Sequence, residues 1–170
     1  MMMRRWGIVV AAGLFLLGLM SPGSAQSVRV LGDFRDWSAY SANDGSGVIC
    51  FATTLPKSVE PTPQGYGEAR IYLTNRTAQG IKNEFNLIAG YEFAPDSVAI
   101  AKVGGKEYRL FTQRDSAWLE DEGETESFAA HLRSGSALSI EGTSSLGVKI
   151  VQTFSLSGAT ASSRSINSAC

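Results

Sequence analysis

Apolar and polar side chains alternate with a period of two through much of the chain. In EFNLIAGYEF, Phe85, Leu87, Ala89, Tyr91 and Phe93 fall on one face, while Glu84, Asn86, Gly90 and Glu92 fall on the other, with Ile88 out of phase. Successive strand side chains point to opposite faces, so the pattern predicts a half-buried β-strand. Shorter versions recur in EARIYLTN, KEYRLFTQ, SALSIEG and VKIVQTFSLSG. Turn signals separate the apolar runs. Asn43-Asp44-Gly45 stands before VICFATTL, Gly104-Gly105 divides SVAIAKV from KEYRLF, and Ser144 to Gly147 divides the last two strands. These three predict hairpins. PKSVEPTPQGYG, with three of the five prolines, reads as a long irregular loop within one domain, because strand signals continue on both sides.

Two stretches follow a helical period instead. ETESFAAHLRSG sets Phe128 and Leu132 four apart, with acids early, Arg133 late and Gly135 as a stop. ATASSRSINSAC places Ala159, Ser163, Ile166 and Cys170 on one face. The expectation is therefore a mainly β, single-domain antiparallel sandwich or bent barrel of about eight strands with two short peripheral helices.

The first 26 residues change the setting. Arg4 and Arg5 precede fifteen uncharged residues from Trp6 to Met20, then Ser-Pro-Gly and the small residues Gly23 and Ala25. That is the order of parts in a secretory signal peptide, cleaved after Ala25, and the apolar run is shorter than the ~20 residues of a membrane-spanning helix. Residues 1–25 are thus expected to be the signal and residues 26–170 the domain, in the periplasm, secreted, or associated with the outer envelope. Removal of Arg4 and Arg5 leaves 13 of the 15 Lys and Arg against 16 Asp and Glu, a net charge of −3. Such a chain has no basic field for nucleic acid, and no other segment is long and apolar enough to span a membrane.

Export gives the two cysteines, Cys50 and Cys170, a reason to pair. A bridge closing so long a loop contributes on the order of 4–5 kcal/mol in the chain-entropy description, and it would hold the last helix, a weak one rich in serine. The competing readings are a reactive thiol or a link between chains.

Chemistry is sparse. The single histidine, His131, sits on the first helical stretch, and GTSSLG lacks the spacing of a nucleophile elbow. One histidine and two paired cysteines make no zinc set, and LEDEGETE lacks the alternating oxygens of a calcium loop, so no metal or cofactor is expected. Asn75-Arg76-Thr77 fits the glycosylation triplet. Among the aromatics at strand ends and in loops, Trp37, Tyr66 and Trp118 are the candidate partner contacts, the type of residue that anchors interfaces.

An ordered set of segments resembles the invasion-associated locus B family. It includes Asp36-Trp37, Val48-Ile49-Cys50, Tyr72 to Arg76, Asn83-Glu84-Phe85, Ala89-Gly90-Tyr91, Ala117-Trp118-Leu119, Gly142-Thr143-Ser144, Thr153 to Gly158 and Cys170. The resemblance implies an exported alpha-proteobacterial envelope protein with a β-rich fold and no catalytic residues. It also implies a link, in the founding members, to entry into host cells. Leu146 and Gln152 depart from the arginine and aspartate common at these positions. The function expected is non-enzymatic binding of another protein or of an envelope or host component. A periplasmic module for a small apolar ligand and an unconventional serine hydrolase are the alternatives.

Overall fold

The computed structural model describes residues 27–170, so the expected signal peptide lies outside the described residues. Among the described residues eleven strands form one antiparallel sheet: β1 (Arg29–Phe34), β2 (Trp37–Asn43), β3 (Val48–Thr54), β4 (Pro56–Glu60), β5 (Arg70–Arg76), β6 (Ile81–Ile88), β7 (Val98–Val103), β8 (Lys106–Gln113), β9 (Ser116–Leu119), β10 (Ala137–Thr143) and β11 (Lys149–Ser155). Helix α1 (Thr125–Ser134) and helix α2 (Ala159–Ala169) complete it. The bent form of the expectation holds, as a single curled sheet rather than two stacked ones, and the three expected hairpins form.

The strand order is β1-β2-β3-β5-β6-β9-β8-β7-β10-β11-β4. The curl brings its two ends together. Trp37 Nε1 of β2 donates to the Ser155 carbonyl of β11 at 3.0 Å, the Asp36 amide donates to the Ser157 carbonyl at 3.2 Å, and Lys57 of β4 pairs with Asp36 at 2.6 Å. Inside the curl Phe128 of α1 meets Phe85 and Tyr108 edge-on, with ring centroids 4.7 and 4.8 Å apart. That geometry suits the aromatic quadrupoles and adds to the area buried. Helix α2 lies across β1, β2 and β3, and Ala159, Ser163 and Ile166 on its predicted face are buried.

Three strands, β1, β4 and β9, exceed the expected eight, and β1 escapes the period-two pattern because its register shifts between Val30 and Gly32. β4 is the first part of the segment read as irregular loop. Pro56 and Lys57 are tolerated because β4 is an edge strand, paired only with β11. β9 is four residues long, too short to show a period. The strand read from Glu84 to Phe93 stops at Ile88, where Gly90 turns to a positive φ of 75° and its carbonyl accepts from the Gly67 amide at 2.8 Å. Phe93 then makes only an isolated bridge to Ser144.

The cysteines pair. Cys50 and Cys170 are joined with their Cα atoms 5.9 Å apart, within the range a disulfide accepts. The bond ties the end of α2 to the centre of β3.

Candidate functional site: an aromatic row on the outer face

Alternation that turns small and aliphatic residues inward turns a second set outward. On β2, β3 and β5, the inward Ala39, Cys50, Ala52 and Ile71 leave Tyr40, Phe51 and Tyr72 on the outer face. Farther along the sheet, Tyr108 and Leu110 point inward and Phe111 outward, 44% exposed. On β9, Trp118 stands half-buried between the buried Ala117 and Leu119.

Strand register assembles these side chains into a row. Tyr40 lies opposite Phe51, Tyr72 opposite Asn86, Asn86 opposite Trp118, and Trp118 opposite Phe111. Tyr40 stacks on Phe51 at 5.3 Å and Trp118 on Phe111 at 5.3 Å, while Phe51 and Tyr72 meet tilted at 6.0 Å. Cross-strand aromatic pairs of this kind stabilise a sheet, yet five of them on one solvent-facing side exceed what scattered surface apolar residues present.

Two grooves meet at Trp118. The smaller, about 360 Å³, runs among Phe51, Tyr72, Thr74 and Asn86. The larger, about 620 Å³, opens where β6 and β9 part. Their pairing covers only Asn86 to Ile88, so among the described residues the first half of β6 has no strand on that side. Two local irregularities accompany the parting. Asn83 adopts a φ of 57°, and the β5–β6 register slips between Thr74 and Arg76. After Leu119 the chain leaves β6, keeps one backbone bond to β8 through the Glu120 amide and Arg109 carbonyl at 3.0 Å, and enters a 3-10 turn, Glu122–Glu124, capped by Asp121.

Charge gathers at the junction. Arg76 binds Glu84 at 2.9 Å and Asp44 at 3.5 Å. Hydrogen bonds from the Ser46 hydroxyl and amide, more than the nearby Arg76, hold the Asp44 carboxyl below the usual carboxylate range. Asn83 is buried, donates to Glu126 at 2.6 Å, and its own side-chain oxygen has no hydrogen-bond partner among the described residues.

The three aromatics singled out from the sequence do not come together. Trp118 occupies the centre of the row. Tyr66 is half-buried on the loop after β4, where its hydroxyl accepts from Gln152 Nε2 at 3.0 Å. Trp37 is 1% exposed and belongs to the core, because it alternates in phase with the buried Ala39 and Ser41; it offers no face to a partner. Tyr40, Phe51 and Tyr72 were absent from that set, and so was Phe111. Its signal in the sequence is a large aromatic out of phase with Tyr108 and Leu110.

Other sequence features take plain structural roles. Asn75 is 2% exposed, its side chain donating to Asn167 at 2.7 Å, so the glycosylation triplet is closed to a glycan. Gln152 is fully buried and also donates to the Ala89 carbonyl at 2.8 Å, whereas Leu146 is exposed at the tip of the β10–β11 hairpin. The Tyr108 hydroxyl lies 2.6 Å from His131 Nδ1 and 3.0 Å from the Ser127 hydroxyl, placing a phenol between serine and imidazole. Among the described residues, no group of three or more His, Cys, Asp or Glu side chains could hold a metal ion, and no helix is long and apolar enough to cross a membrane.

No family model matches the chain, and no curated protein matches it. Among solved structures, invasion associated protein B from Bartonella henselae is similar, with a TM-score of 0.58 and 14% sequence identity. The match covers 81% of this chain and 96% of that one. At that identity the likeness is one of fold: this chain is built like invasion associated protein B.

Proposed function

We propose that the chain is an exported, non-enzymatic cell-envelope protein of the invasion-associated locus B family that binds another macromolecule through the outer face of its sheet. The observation that carries the reading is the row of outward aromatics converging on Trp118, where two grooves meet. Large aromatics near the centre of a surface patch are the residues that dominate binding energy. The signal-like leader and the single disulfide support an oxidising compartment. The shared fold with a protein named for invasion makes host contact the proposed setting.

The test is capture from envelope and host-cell fractions by the wild-type protein and by Trp118→Ala. The wild type should retain a partner that the variant loses, a weakening of about tenfold or more. Equal retention by both would remove the outer face as the contact, and no retention by the wild type would remove the binding role.

A further inference from the structure

The larger groove has an apolar floor and an acidic wall. Phe85 and Leu119 reach it from the core side, and the stacked pair Phe111 and Trp118 closes its outer side. Its volume, about 620 Å³, falls within the range of sites that hold a ligand. The wall is built by the segment from Glu122 to Glu126, which carries three acids and no base. Glu122 and Glu126 line the groove, and neither joins an ion pair among the described residues. Among the described residues Lys82 is the single lining cation, and the third lining acid, Glu84, shares Arg76 with Asp44 outside the groove.

Resting on the reading of Trp118 as the contact centre, we infer that this groove takes a basic stretch of polypeptide in which a lysine or arginine stands next to a large apolar residue. A purely apolar occupant would strip water from the carboxylates and give them nothing in return. An anionic one would be repelled, and a neutral oligosaccharide would meet the rings yet leave the acidic wall without a counter-charge. A lysine or arginine satisfies both surfaces. Its stem lies along Trp118 and Phe111, the charge gains from the ring faces, and its head reaches Glu122 and Glu126. The adjacent apolar side chain enters between Phe85 and Leu119. The slot left where β6 and β9 separate suits an extended segment, and the acidic rim steers a cationic one toward it.

The experiment is calorimetric titration of the oxidised protein with a short peptide alternating lysine and leucine. A peptide alternating glutamate and leucine and a neutral glucose oligosaccharide serve as comparisons. The lysine peptide should bind alone, and more weakly as salt rises. Trp118→Ala should weaken it about tenfold. The double change Glu122→Gln with Glu126→Gln, in which the new amide oxygen at 126 still accepts from Asn83, should weaken it severalfold and flatten its salt dependence. Comparable binding of the glutamate peptide or the oligosaccharide would overturn the inference, as would binding indifferent to both variants. Self-association abolished by Trp118→Ala would assign the groove to a second copy and overturn it too. If Trp118→Ala abolishes partner capture while the lysine peptide neither binds nor competes, the charge argument falls and the contact face stands. If capture survives Trp118→Ala, the contact face itself falls.

Discussion

Two positions show how single residues hold the curl. Gly158 enters α2 at a φ of 102° with the Phe34 carbonyl against it, so a Cβ there would overlap backbone atoms of the strand opposite. Gly158→Ala is expected to cost about 3 kcal/mol from backbone strain and forced displacement together, read as a lower urea midpoint. Tyr91 acts through its proton. Burial first, and the neighbouring Tyr66 second, push its phenol above the usual value. The folded chain therefore holds that proton more tightly than the unfolded chain does. The stabilisation is complete below the ordinary phenol value of about 10 and is lost as pH rises above it. The melting temperature should begin to fall as pH passes about 10 and keep falling toward the raised folded value, and Tyr91→Phe should make that fall shallower. An unchanged slope would show that other groups govern it. Residue type alone did not say which aromatics face solvent. Trp37 and Trp118 are the same side chain, and only the phase of their strands against Ala39 and Ala117 sends one inward and the other out.

At the scale of elements, α2 depends on its cross-link. The helix is eleven residues long and rich in serine, lacks a side-chain N-cap, and ends on a bonded cysteine. So short a helix is marginal unless packing or a covalent tie holds it. Cys170→Ala is expected to lower stability by about 2–5 kcal/mol. It should also expose the amides of the last helical turn to hydrogen exchange, whereas those of β10 and β11 should stay protected. Both helices were legible from spacing, and eight strands from alternation or flanking turns. The others were hidden because β4 is short and proline-bearing, β9 is only four residues, and β1 carries a register shift between Val30 and Gly32. The parting of β6 and β9 was hidden for a different reason: it depends on pairing between segments some thirty residues apart and on a bulge at Asn83, neither of which leaves a local pattern.

For the molecule as a whole, the curl explains why one sheet can serve two purposes. Its concave side is filled by the core and both helices, leaving the convex side as the broad surface for the aromatic row. Among the described residues the edge strands of the sheet are guarded, one by its shortness with Pro56 and Lys57 and the other by the bulge in β1. Such features discourage sheet-to-sheet aggregation.

The placement of β4 beside β11 also sets a sequence of events in time. Synthesis makes residues 56–60 early, yet their hydrogen-bonding neighbour is made some ninety residues later, and the bridge from Cys50 waits longer still. An emerging chain must carry that stretch without its mate until nearly all of it has appeared. Topologies with such distant pairings assemble slowly, so the interval before the tail arrives is when this protein is most exposed to proteases and to wrong partners.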